Sequence, residues 1–133
     1  MKRTIAYLTL LLVVLVTAVA TAVPPAGKHI NATLVTMGGS GVTGKVELTQ
    51  MPQGGTLIHV TAHGLHPGSV YASFYYDSAD CSAAHDLLAS FTADAEGVGS
   101  VTGKIDDDLD EVGSVSVRVG PDYGDLLACA TVH

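Results

Sequence analysis

The sequence predicts an all-β fold, an eight-stranded antiparallel sandwich or barrel, and three observations carry that expectation. Apolar and polar residues alternate along short runs, turn clusters rich in glycine, with proline, serine or aspartate, separate the runs, and the one segment with helical character, Ser82 to Leu88, is too short for more than a turn. From about His29, alternation puts Ile30, Ala32 and Leu34 on one face of a first strand. Val42, Gly44, Val46 and Leu48 do the same for a second, and Ile58, Val60 and Ala62 for a third. Met37-Gly38-Gly39-Ser40-Gly41, Pro52-Gln53-Gly54-Gly55 and Gly64-Leu65-His66-Pro67-Gly68 are the turns between and after them. Five further strands are expected over Val70 to Tyr76, Leu88 to Ala93, Val98 to Ile105, Ser114 to Val119 and Leu126 to Val132. Asp94-Ala95-Glu96-Gly97 is a hairpin turn with glycine where a positive φ is needed.

Residues 1–22 stand apart from this pattern. Met1-Lys2-Arg3 is basic, Ile5 to Val16 is almost wholly apolar, and Ala18-Val19-Ala20 and Ala20-Thr21-Ala22 fit the small-residue motif of signal cleavage. A secretory signal ending at Ala22, or else at Ala20, is expected, followed by one domain over residues 23–133 that opens with the stiff Val23-Pro24-Pro25-Ala26-Gly27. The apolar run falls short of the roughly 18 to 20 residues a membrane span needs, so no span is expected after cleavage. The domain would keep 4 basic and 13 acidic side chains, a net charge of −9. That balance argues against a nucleic-acid binder, which needs a net basic surface, and the length argues against a multidomain enzyme. In an oxidising compartment the two cysteines, Cys81 and Cys129, most simply form one disulfide. Asn31-Ala32-Thr33 is a glycosylation sequon, relevant only to a eukaryotic secretory route.

Six histidines raise the question of metal. His59 and His63, four residues apart on one strand, are separated by roughly 13 Å and cannot share an ion. They are expected to face solvent opposite Ile58, Val60 and Ala62, while His66 falls on a turn, His29 at a strand start and His133 at the C-terminus. His85 with Asp86 supplies half of a zinc donor set, without the other two ligands in view. Asp106, Asp108 and Asp110 imitate the opening of a calcium loop, but Glu111 stands where the glycine belongs and Val117 at the bidentate position, so a solvated connection is expected. No serine lies in a nucleophile-elbow frame. On the fourth strand Tyr71, Ser73 and Tyr75 alternate with Ala72 and Phe74, which suggests an exposed tyrosine face suited to sugar or protein contacts.

Ala32-Thr33-Leu34-Val35, the glycine-rich turn, Gly41-Val42-Thr43-Gly44-Lys45-Val46-Glu47-Leu48-Thr49-Gln50, Gly64-Leu65-His66-Pro67-Gly68, Asp80-Cys81-Ser82-Ala83, Thr92-Ala93-Asp94-Ala95-Glu96-Gly97-Val98 and Leu127-Ala128-Cys129 follow one another in an order that resembles the copper/zinc superoxide dismutase family. The resemblance runs from about Ala32 to Val132. It implies an eight-stranded Greek-key β-barrel, often secreted in bacteria, with the Cys pair where that family has its disulfide. It also implies that the activity is gone. The family's two copper histidines on the strand after the Gly-Leu-x-x-Gly turn match Ser73 and Tyr75, its last copper histidine matches Val119 or Gly120, and its substrate-guiding arginine matches Leu126. Ten residues separate Cys81 from Thr92 and nine separate Val119 from Cys129, so the zinc and channel loops are cut down. His85 stands as a remnant of a bridging or zinc histidine, with Asp86 toward the zinc carboxylate. The expected protein is a secreted, periplasmic or cell-surface dismutase-like module without catalysis or cofactor, binding an extracytoplasmic protein or glycan. The alternatives are a divergent metal-binding enzyme of that family and a zinc or copper carrier.

Overall fold

The structure, a computed structural model, describes residues 27–133. The secretory signal expected over 1–22 lies outside the described residues. Eight strands appear in the expected order: β1 (His29–Thr36), β2 (Thr43–Gln50), β3 (Thr56–His63), β4 (Val70–Tyr76), β5 (His85–Thr92), β6 (Gly99–Ile105), β7 (Ser114–Val119) and β8 (Leu126–Thr131). All pairings are antiparallel and the spatial order is β5-β4-β7-β8-β1-β2-β3-β6. The β3–β4 and β6–β7 connections step over intervening strands, the Greek-key pattern, and the sheet curls into a nearly closed barrel. Among the described residues no helix is long and apolar enough to cross a membrane.

Alternation dictates the inside of the barrel. Ala32 and Leu34, Val46 and Leu48, Ile58, Val60 and Ala62 are buried in one cluster with Tyr71, Phe91, Ile105, Val115, Val117, Ala128 and Ala130. Two seams relieve the curvature. At the first, β1 and β8 share only the pairs Val35–Cys129 and Thr36–Ala128. At the second, β5 and β6 are the two ends of the strand order although a tight turn joins them. That turn forms as expected: Asp94 N–H donates to the Val98 carbonyl, the Asp94 carboxylate accepts from the N–H groups of Glu96 and Val98, and Gly97 has φ +75°. Beyond it the strands splay instead of pairing, and side chains close the gap. Phe91 lies over Gly99 and Leu88 over Gly103, where an added Cβ would meet ring or methyl carbons at 2.6 and 2.5 Å. Only glycine leaves room for that closure.

Two expectations are corrected. Residues 85–87 are strand rather than turn: β5 opens at His85 instead of the expected Leu88, and Asp86 and Leu87 pair with Tyr75 and Phe74. The proposed exposed face of Tyr71, Ser73 and Tyr75 is not exposed: Tyr71 is 5% and Ser73 0% accessible, and Tyr75 packs against the barrel core. Periodicity separated the two faces of β4 correctly but could not say which was inside. The answer is set by neighbours, for Tyr71 and Tyr75 point into the barrel while Ala72, Phe74 and Tyr76 lie on the outer side beneath loops, where they form a second buried cluster with Cys81 and Cys129.

The acidic connection between β6 and β7 is built into the barrel end. Leu109, in the 3-10 turn Leu109–Glu111, is fully buried. The Asp108 carboxylate accepts from Gly55 N–H at 2.8 Å and from Gln50 Nε2 at 2.9 Å, while Gln50 Oε1 accepts from Leu109 N–H at 2.8 Å. Thr56 Oγ1 donates to the Asp107 carbonyl at 2.8 Å. These bonds satisfy the two buried polar side chains Gln50 and Thr56, as a low-dielectric interior requires.

Candidate functional site

The chemistry-bearing residues that the fold brings together lie on the outer face of β4, β5 and β7, under two connections. Phe74 and Tyr76 come from β4, His85 from the start of β5, and Arg118 from β7. Tyr123 comes from the turn that joins β7 to β8. The β4–β5 connection, residues 77–84, is fixed over this face by the Cys81–Cys129 disulfide, whose Cα atoms are 6.2 Å apart. Ser114 Oγ adds to the hold, accepting from Cys81 N–H and donating to the Ser78 carbonyl, and Thr131 Oγ1 donates to the Ala79 carbonyl.

Arg118 organises the cluster. Its Nε donates to the Tyr76 hydroxyl at 2.9 Å, Nη1 to the Gly124 carbonyl at 2.9 Å and Nη2 to the Cys81 carbonyl at 3.3 Å. The guanidinium carbon also sits 3.8 Å from the centre of the Tyr123 ring. The opposite face of that ring is covered by His85, stacked at 3.8 Å with an interplanar angle of 12°. Phe74 closes the base edge-on, 4.9 Å from Tyr123 and 5.5 Å from His85. Tyr123 is thus held between a cation and an imidazole, an arrangement that uses the electron-rich faces of its ring. Burial first, and the neighbouring Tyr76 hydroxyl second, raise the Tyr123 phenol above its ordinary value, against the opposing pull of Arg118.

The structure separates His85 from Asp86. His85 stacks on Tyr123 on the outer side, whereas Asp86, the next residue along the strand, pairs with Tyr75 and is felt by that phenol, together with Asp107, Asp106 and Asp77. These carboxylates and burial raise the Tyr75 pKa, burial being the larger cause. The remaining histidines are dispersed. His29 bonds Thr49 and Asn31, His59 bonds Thr102 and Thr61, His63 is exposed, His66 lends its backbone N–H to the Tyr71 hydroxyl, and His133 meets the Leu109 carbonyl. Among the described residues the group of three donors close enough for one ion is Asp108, Asp110 and Glu111, within 4.8 Å of one another. Asp108 is already engaged there by Gly55 and Gln50, which lower its pKa.

The positions assigned to copper histidines by resemblance are structural. Ser73 is buried and donates to the Ser116 carbonyl at 2.9 Å, and Tyr75 faces the barrel interior. The outward-facing pair on β4 is instead Phe74 and Tyr76, neither carrying an imidazole. Arg118 and Tyr123 were not singled out from the sequence. A signal for Arg118 was present, since Val115 and Val117 alternate inward and leave Ser114, Ser116 and Arg118 outward. Tyr123, in an irregular turn, had none.

No protein-family model and no curated protein matches the chain. Fold and cluster together define the class: a disulfide-stapled, all-β, nearly closed barrel whose outer face carries an aromatic, histidine and arginine platform.

Proposed function

We propose that this chain is an exported, dismutase-like barrel that has exchanged metal chemistry for binding, and acts as an extracytoplasmic binding or structural module. The observation that carries the reading is the composition of the outer-face cluster. Where β4, β5 and β7 converge under the tethered loops, the side chains are Phe74, Tyr76, Arg118, Tyr123 and a single imidazole, His85. Redox copper needs several imidazoles and an open coordination position. Here one imidazole is stacked against a tyrosine, and the cation that would draw in an anion is consumed by Tyr76, Gly124 and Cys81. The disulfide suits an oxidising compartment.

The test is the copper and zinc content of the protein made through an oxidising compartment, loaded with both metals and dialysed. Near-zero metal per chain is the expected result. About one ion per chain, abolished by His85→Ala, would overturn the proposal in favour of a divergent metal-binding family member or a metal carrier, because a lone structural site needs ligands that converge on one ion.

A further inference from the structure

The disulfide is reachable from one side. Val35 of β1 and Cys129 of β8 are register partners where the β1–β8 seam is still paired. Ala128 and Ala130 belong to the barrel core, so alternation turns Cys129 and Thr131 to the outer face beside Val35. There a cleft of about 300 Å³ is lined by Val35, Met37, Ala79, Asp80, Cys129 and Thr131. Val35 is 58% and Met37 38% exposed, so the cleft opens to solvent. Its wall includes one cysteine of the pair and not the other: Cys129 is 8% accessible and Cys81 1%.

The two cysteines also differ in what surrounds them. Cys81 has φ +58°, a left-handed conformation unfavourable for a residue with a Cβ. The link to Cys129 helps to hold it there, together with Cys81 N–H donating to Ser114 Oγ. Arg118 Nη2 donates to the Cys81 carbonyl, which puts a cation next to the cysteine that leaves when Cys129 is attacked. A neighbouring cation stabilises a thiolate, and a more stable thiolate leaves faster. The cleft carries a carboxylate, Asp80, which accepts from Ser82 Oγ. That charge repels an anionic thiol and admits a neutral or cationic one.

We infer that the cleft at the β1–β8 seam is a thiol-exchange site at which a small neutral or cationic thiol attacks Cys129. The attacking thiolate forms a bond to Cys129 Sγ, and the Sγ–Sγ bond breaks with its electron pair on Cys81 Sγ, which takes up the proton the thiol gave to solvent. A second thiol attacks the small molecule's sulfur in the mixed disulfide, freeing Cys129 and yielding the external disulfide. Two external thiols are thus oxidised and the protein disulfide is reduced to two thiols. Exchange removes the covalent clamp on residues 77–84, while the bonds from Ser114 and Thr131 to the Ser78 and Ala79 carbonyls remain. Phe74 and Tyr76, clustered with both cysteines, then lie under a clamp that a thiol opens.

The probes are cysteamine, 2-mercaptoethanol and glutathione, each given in excess to the oxidised protein in buffer without denaturant. Samples are quenched with acid at early times, digested at low pH and mapped by mass spectrometry. The adduct should sit on Cys129, with Cys81 a free thiol. Expressed per thiolate, cysteamine should outpace glutathione, and Asp80→Asn should narrow the difference. Val35→Trp, a change at an exposed side chain that roofs the cleft, should slow all three reagents several-fold, while Leu57→Trp at an exposed position on β3 should not. Rates should stay nearly flat in urea well below the unfolding midpoint, because the native protein reacts. An adduct on Cys81 would overturn the choice of sulfur. Rates indifferent to Val35→Trp, or rising with urea as steeply as global unfolding, would overturn the cleft as the route. A cysteamine-to-glutathione ratio that Asp80→Asn leaves unchanged would overturn the charge selection. None of these readouts involves metal or a binding partner, so failure here is distinct from failure of the proposed function.

Discussion

The Tyr76 hydroxyl ties two strands, β4 and β7, at one buried atom. It receives Arg118 Nε at 2.9 Å and is bonded to Ser116 Oγ at 2.8 Å, with Tyr76 1% and Ser116 0% exposed. Tyr76→Phe keeps the ring and its packing but strips both partners of their bond, leaving a buried hydroxyl and a guanidinium N–H without one. The expected cost is about 2 kcal/mol, read from urea unfolding. An unchanged midpoint would mean that water replaces the hydroxyl and that the cluster is looser than its geometry. His85→Ala should cost less, because its ring is exposed and stacks on one side only. At this scale the sequence was a partial guide. The histidines' dispersal followed from strand geometry, but the pairing of His85 with Asp86 did not survive, since adjacent strand residues point to opposite faces.

Single elements differ in how much of themselves they display. Strands β1 to β3 have one clean apolar face each, so their orientation follows from alternation. Strand β4 is buried on both faces, by the barrel on one side and by the disulfide-tethered loop on the other, and a residue pattern of two aromatic faces cannot rank them. Its register with β5 also shifts between Ser73 and Phe74. The acidic connection is the opposite case, a segment that looks like solvated surface yet carries a buried leucine and two structural hydrogen bonds to Asp108. Its carboxylates titrate in opposite directions. The Gly55 N–H and Gln50 lower the Asp108 pKa, so its stabilising contribution holds above the ordinary aspartate value and is lost as pH falls through the lowered one. Asp107 is raised, by burial first and then by Glu111, Asp77, Asp86 and Asp106. Its ionised form opposes folding above the raised value, and that opposition disappears as pH falls to about 3, where folded and unfolded chains are both protonated. Asp107→Asn keeps the backbone carbonyl that Thr56 uses. It should therefore stabilise at pH 7 by about 0.5 kcal/mol, the scale of exposed charge pairs, and by nothing at about pH 3. Equal effects at both pH values would show that charge is not the cause.

The chain's one covalent link lies within the half of the barrel that the sheet joins most weakly to the rest. The β5–β6 seam has no strand pairing and β1–β8 has two residue pairs, so the half of the barrel made by β5, β4, β7 and β8 is joined to the other half largely through side chains and turns. The disulfide sits in that half, joining the loop after β4 to β8, and both cysteines belong to the outer buried cluster rather than to the barrel core. With a sequence separation of 48, the bond removes unfolded-chain entropy that the loop-closure model puts at about 4 kcal/mol. A domain of this size is stable by about 5–15 kcal/mol in all, so the link is a large share of it. Cys129→Ser and reduction of the unmodified protein should both lower the urea midpoint, by on the order of 2 M for a small domain. The two treatments separate the causes. Reduction removes the link and leaves two apolar thiols in the cluster, whereas serine also buries a hydroxyl there, so the variant should unfold at the lower denaturant concentration of the two. Equal midpoints for oxidised and reduced protein would show that the many hydrogen bonds on residues 77–84 hold this loop without the sulfurs, and the barrel half would then owe its stability to Arg118 and the β7 serines instead.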